Sequence, residues 1–357
     1  MVTKRSIGLG WKFLLLCGVL IVIAAALESV SSAVLFRYYA HKDSGLYPHG
    51  TATAFLLRKA LHLEPFAIFT ADRSDMFQPD QVLGYRFNPG VYHIVETSES
   101  AGLHAFKVTI QNDGYRATSV SRTADTPRIY VLGNSGIWGF GIDDEMSVPW
   151  MLQAHLPKFY VLNLAVTGYT MVQSLLQFRA LQNQFRPDDI VVFSYWSAGQ
   201  HYSVGDTSQS FGHDFELELT KDPVFPKLRL PFGYLSGKGD LSIRYLPISC
   251  ATRVSDCSPA PGEIVDAQRV TEAIFDEILQ KPRCHIVVAL IEGPNDDPII
   301  AHLRSSGVTV ADLRFPKSKI DANDYTPAHD HLGAFASHAR FEDLLHALSA
   351  SGLSTPE

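Results

Sequence analysis

The sequence predicts an α/β fold of three layers, a parallel β-sheet covered by helices on both faces. Two observations predict it. From Arg128 to about Leu348, short apolar runs of strand character alternate with longer segments whose apolar residues recur at helical spacing. Strands that alternate with helices pair in parallel and bury both faces. Before Arg128, alternating apolar residues are punctuated by Pro89-Gly90 and Asp113-Gly114, the turn signals of antiparallel hairpins. A small β segment is therefore expected ahead of the α/β domain.

Taken in order, residues 37–75 show no clear period, and Val82–Arg86, Val91–Val95 and Phe106–Ile110 read as strands of the small sheet. Ser119–Pro127 is polar and reads as a linker. The α/β pattern opens with strand Ile129–Leu132, which ends in Gly133-Asn134-Ser135. Helix Ser147–Leu156, strand Phe159–Leu164, helix Met171–Phe185 and strand Asp189–Tyr195 follow. Residues 200–262 are rich in Gly, Pro and Ser and read as a long insertion. Helix Val265–Leu279, strand His285–Ile291, strand Val308–Leu313 and a last helix from Ala334 to Leu348 complete the domain, placed at 128–350. In such sheets reactive groups collect beyond the carboxyl ends of the strands.

The N-terminus carries an export signal. Lys4, Arg5 and Lys12 precede Phe13–Leu27, fifteen uncharged residues that are all apolar except Gly18, and after Glu28 the apolar character resumes to Phe36. A helix crosses the hydrocarbon core with about 20 residues, so 13–36 suffices as a transmembrane anchor. The basic residues keep 1–12 in the cytoplasm. The competing reading is a signal peptide cleaved near Ser31-Ser32-Ala33. Both place 37–127 and the α/β domain outside the cytoplasm, in the periplasm or extracellular space; the anchor reading also makes the membrane a partner through the N-terminal helix. A net charge of −7 without a long basic run argues against a nucleic-acid partner, which requires a clustered positive face. Cys250 and Cys257 flank a short polar stretch and form a candidate local disulfide for an oxidising compartment, though spacing alone does not fix the geometry. Cys284 opens an apolar run and reads as a buried small hydrophobe. No Cys or His cluster has metal spacing, and no cofactor is called for.

Two segments carry chemistry. Val131–Gly136 sets a serine just after a hydrophobic strand, with glycines at Gly133, Gly136, Gly139 and Gly141 that let the backbone turn sharply. The plain alternative is a turn. Val161–Tyr169 ends a second strand in Gly168, whose peptide N–H is suited to a developing oxyanion, as is that of Ser135. Here the plain alternative is a helix cap.

Together these segments resemble the SGNH/GDSL hydrolase superfamily. Gly133-Asn134-Ser135 with Gly139-Phe140-Gly141 resembles its first block, with Asn134 where the family usually has Asp. Asn163 and Gly168 match its Asn-x-x-x-x-Gly second block. Leu83-Gly84-Tyr85-Arg86 and Asn112-x-Gly114-Tyr115-Arg116 resemble a β segment that often precedes the domain in exported members. The resemblance implies a flavodoxin-like sandwich, Ser135 as nucleophile and an oxyanion hole at Ser135 and Gly168. The third block should end in Gly-x-Asn-Asp, but the matching strand end, Ser194 to His201, contains no Asn. Gln200 or His201 stands in as donor, or the hole has two members. The last block should supply a histidine preceded by an acid. Asp324-Tyr-Thr-Pro-Ala-His329-Asp330-His331-Leu-Gly333 offers His331 as base with Asp330 as acid, and His329 and Asp324 as rivals. The expected activity is serine-dependent ester hydrolysis or O-acyl transfer on an acylated glycan or lipid of the cell envelope. The competing expectation is a catalytically silent domain that binds envelope polysaccharide or scaffolds a complex. A Rossmann-type nucleotide binder is disfavoured because Gly139-x-Gly141 lacks the third glycine of that fingerprint.

Overall fold

The computed structural model describes residues 14, 16–27, 67–71, 76–98, 102–118, 126–197, 229–247, 266–280, 282–315 and 333–352. Five strands form the central parallel sheet: β6 (Arg128–Leu132), β7 (Tyr160–Asn163), β8 (Ile190–Trp196), β11 (His285–Glu292) and β12 (Thr309–Asp312). Their spatial order is β12-β11-β8-β6-β7. Ranked by position in the chain this is the flavodoxin-like order 2-1-3-4-5, whose topological switch point lies between the first and third strands. Those strands are β6 and β8.

Side-chain alternation divides the sheet into its two faces. Ile129, Val131, Val161, Ile190, Val192, Val287 and Ala289 point into one apolar core, shared with helices α1 (Ser135–Trp138), α2 (Val148–His155) and α6 (Ala334–Ala350). Tyr130, Leu132, Leu162, Val191, Phe193, Val288 and Leu290 point into a second, closed by α3 (Met171–Leu181), α4 (Ala267–Leu279) and α5 (Pro298–Ser305). The helices begin at identifiable signals. Ser147, Thr170, Asp266 and Asp297 each accept a backbone N–H of the first turn, and Pro149 and Pro298 stand where a missing N–H costs nothing.

The β segment is present and more extensive than the sequence suggests. β2 (Phe77–Asp80) pairs with β3 (Gly84–Phe87), and β1 (Ala67–Ala71), β4 (Gly90–Ser98) and β5 (Gly102–Ile110) form an antiparallel sheet. β1 lies within the stretch that shows no period. Tyr85, Phe87, Tyr92 and Phe106 share one apolar core with Ile129 and Val131, so this segment is fused to the α/β sheet.

Two further points differ from the sequence expectations. Residues 229–247 of the insertion form a hairpin, β9 (Arg229–Leu235) with β10 (Leu241–Pro247). Its Leu235 packs into the second core, and a side chain on Gly233 would approach Val172 of α3 to 2.8 Å. That close packing explains an aperiodic strand containing glycine and proline. Helix α5, unanticipated, is capped by Asp297. At the N-terminus, residues 16–27 are helical, with Leu16, Leu20, Ile21, Val22 and Leu27 exposed. Among the described residues no helix is long and apolar enough to cross a membrane. The linker 119–125 and Cys250 and Cys257 lie outside the described residues. Cys284 is buried as expected, and burial pushes its thiol up to about 12.

Candidate active site

β6 ends at Leu132, and the chain turns into α1 within two residues. Gly133 makes the turn possible. Its φ is +147°, and a Cβ there would lie 2.4 Å from Cβ of Ser194 on β8. Asn134 caps α1, its Oδ1 accepting the Gly136 N–H at 3.1 Å. An aspartate would cap the same way, which accounts physically for Asn at this position. Ser135 is the first residue of α1 and is half-buried. It therefore stands beyond the carboxyl end of β6, at the switch point beside β8.

A glycine-rich turn comes directly after Ser135 and is held by one buried arginine. Arg116 donates to the carbonyl oxygens of Trp138 (3.0 Å), Gly139 (2.5 Å) and Ile142 (2.6 Å), and its Nε pairs with Asp144 at 2.9 Å. Its guanidinium lies 4.6 Å from the Trp138 ring, against which Phe87 of β3 stacks from 5.1 Å. Burial pulls the Arg116 guanidinium below its usual value, and Asp144 opposes that shift. Asp144 also accepts the Thr109 N–H of β5. The Asn112–Arg116 motif thus acts as a brace for the turn behind Ser135.

The loop bearing Gly168 runs alongside. Backbone bonds Leu164 N–H to Val131 O (2.9 Å) and Val166 N–H to Gly133 O (3.1 Å) continue the β7–β6 pairing up to the serine turn. The structure thus brings Ser135 and Gly168 onto neighbouring loops. Gly168 has φ +77°, and Tyr169 N–H returns to Val166 O at 3.0 Å. No acceptor among the described residues takes the Gly168 N–H. Phenols from both sides fix the loop: Tyr85 Oη donates to Thr167 O at 2.8 Å, and Tyr169 Oη to Tyr85 O at 2.5 Å.

The remaining candidates, Gln200, His201, Asp324, His329, Asp330 and His331, lie outside the described residues. Helix α6 starts after Gly333, which is two residues beyond His331 in the chain. Its Arg340 donates to Gly136 O (3.2 Å), Leu313 O (3.2 Å) and Ile291 O (3.4 Å), and Ser337 Oγ donates to Met146 O at 2.7 Å. The first two turns of α6 are thereby bonded to the segment that carries Ser135.

One pattern escaped the sequence reading. Gly-x-Asn-Asp, sought after the third strand, stands after the fourth as Gly293-Pro294-Asn295-Asp296. A side chain on Gly293 would come within 2.4 Å of Ser197 Cβ, so this loop rests on the end of β8. Asn295 itself is exposed. A search for the motif without regard to strand number would have found it.

No protein-family model matches the chain, and no curated protein matches it either. Similar solved structures include GDSL-type lipolytic proteins and esterases. TesA is 14% identical, with 63% of this chain and 99% of that chain covered and a TM-score of 0.34. The psychrotrophic esterase EstA from Pseudoalteromonas sp. is 11% identical over 64% of this chain and 99% of that one, TM-score 0.35. A member of the lipolytic G-D-S-L family from Veillonella parvula is 7% identical over 62% and 98%, TM-score 0.35. At such identities and scores, chemistry has to be read from this chain's own residues.

Proposed function

We propose that the chain is an SGNH/GDSL-type serine esterase or O-acyltransferase acting on an acylated glycan or lipid ester at the cell envelope. The observation that carries this reading is Ser135 on the first turn after β6, at the switch point of the sheet, with the Gly168 loop bonded beside it.

Ser135 Oγ attacks the acyl carbonyl, and its proton passes to His331, oriented by Asp330. His329 and Asp324 are the rival pair members. Peptide N–H groups of Ser135 and Gly168 receive the negative charge that develops on the carbonyl oxygen; Gln200, His201 or none completes the hole. Collapse breaks the ester C–O bond, and the imidazolium returns its proton to the leaving alkoxide. Water then yields the free acid, or a sugar hydroxyl a new ester, and Ser135 is regenerated. The bonds from α6 to Gly136 and Met146 support the histidine assignment, because they fix a helix that begins three residues after His331 against the segment that carries Ser135. The exposed apolar residues of helix 16–27 support an anchor at 13–36, with the domain exported.

The test uses the full-length chain in detergent micelles with p-nitrophenyl acetate. The expected result is hydrolysis by the wild type, loss of at least about 10³-fold in Ser135→Ala, and labelling of Ser135 by a fluorophosphonate. Equal rates for the two proteins would favour the silent, polysaccharide-binding domain, a reading the missing Asn after β8 favours. Comparing His331→Ala with His329→Ala decides the base.

A further inference from the structure

We propose that Tyr85, on the β segment outside the parallel sheet, is a positioning residue that sets the direction of the Gly168 oxyanion donor. The inference rests on the esterase reading and deepens it.

Val166–Tyr169 is closed by the Tyr169 N–H to Val166 O bond, and its third residue, Gly168, has φ +77°. This is the signature of a type II turn with Thr167 and Gly168 at its centre. Type I and type II turns differ by a flip of the central peptide, here the one joining Thr167 to Gly168. Because a trans peptide is planar, Thr167 C=O and Gly168 N–H point in opposite directions. Whatever fixes the carbonyl fixes the N–H.

Tyr85 is what fixes it. Its hydroxyl donates to Thr167 O at 2.8 Å from a side chain that is 1% exposed. The phenol is itself held, since Tyr169 Oη donates to Tyr85 O and the rings meet edge-on at 5.2 Å. Gln173 Nε2 ties Leu83 O to the first turn of α3. Burial pushes the Tyr85 phenol well above its ordinary value, so it stays a donor across the working pH range. A flip would break the Tyr85 bond, set the Gly168 N–H against a phenolic donor, and aim a carbonyl at the developing oxyanion. With Tyr85 in place the Gly168 N–H is directed away from the phenol and is not taken by any described acceptor. Positioning a peptide in advance is what gives such donors their catalytic value.

The experiment compares full-length wild type, Tyr85→Phe, Tyr92→Phe and Ser135→Ala on p-nitrophenyl acetate, with kcat, KM and thermal midpoint measured for each. Tyr92 is a buried phenol of the same β segment whose hydroxyl bonds Asn88 O at 2.9 Å, so it controls for the loss of one phenolic hydrogen bond. Tyr85→Phe is expected to lower kcat by about 10²-fold, the cost of an oxyanion donor, with KM within about twofold; Tyr92→Phe keeps wild-type kcat. A kcat for Tyr85→Phe equal to that of Tyr92→Phe, or a loss confined to KM, overturns the proposal and leaves the esterase reading standing. A wild type no faster than Ser135→Ala overturns both. Should Tyr85→Phe fail to fold, tetrafluorotyrosine at position 85 keeps the shape but ionises several pH units lower. Its kcat should fall as the phenol loses its proton, at a pH where the wild type is flat; coincident profiles overturn the proposal.

Discussion

Arg116 shows how one residue can build a site without touching a substrate. Its guanidinium is fully buried, satisfied by three carbonyls of the turn after Ser135 and by Asp144. Removing one partner of a buried pair strands the other's charge, at a cost of about 3–5 kcal/mol, whereas removing both is far milder. Arg116→Met should therefore lower the urea midpoint strongly, and Asp144→Leu added to it should recover much of the loss. A single variant as stable as the wild type would contradict this account. At this scale the sequence was legible where a residue type has few uses. Gly133 and Ser135 could be picked out only in combination with Gly139, Gly141, Asn163 and Gly168, because a Gly-x-Ser turn after an apolar strand is by itself common. Tyr85 could not: nothing local says that its hydroxyl meets a carbonyl 82 positions away.

The ends of β11, β12 and α6 are coupled to the site through two arginines. Arg314 after β12 bonds Asp312 and reaches Gly293 O at 3.1 Å, while Arg340 ties α6 to both Ile291 and Gly136. The hydrogen bond from Arg314 holds the Asp312 carboxyl below the usual carboxylate range. A depressed acid stabilises the fold above its unfolded pKa, about 3.9, and that contribution disappears as pH falls through the lower folded value. Asp312→Asn should accordingly lower the thermal midpoint at pH 7 by an amount that vanishes once the pH has fallen below the depressed folded value. The effect should be small, about 1 kcal/mol or less, because both groups are partly solvated. A deficit that persists undiminished in acid would show that packing, not charge, links these residues. The elements of the sheet were readable because apolar runs of strand length alternate with helical spacing. Hairpin β9–β10 was not, since its Gly and Pro residues suit a packing surface supplied by α3 and α4.

For the whole molecule, the proposed reading is of an exported domain held at a membrane by its N-terminal helix. Its apolar side chains are exposed around that helix, and a lipid-embedded segment should resist carbonate extraction. The full-length chain is expected in the washed membrane fraction, with the α/β domain cleaved by protease added from the periplasmic or extracellular side. Release by carbonate, or protection from external protease, would remove the anchored, exported arrangement.

The sequence by itself determined the α/β alternation, the apolar N-terminal stretch, and the two loops on which Ser135 and Gly168 sit. These are local matters, written in periodicity and in residues whose backbone freedom or hydroxyl has few substitutes. Only the tertiary structure decided that the β segment shares a core with the sheet, that Arg116 braces the serine turn, and that Tyr85 holds the Thr167–Gly168 peptide. Those contacts join positions far apart in the chain, and which distant polar groups meet is fixed by how the layers pack.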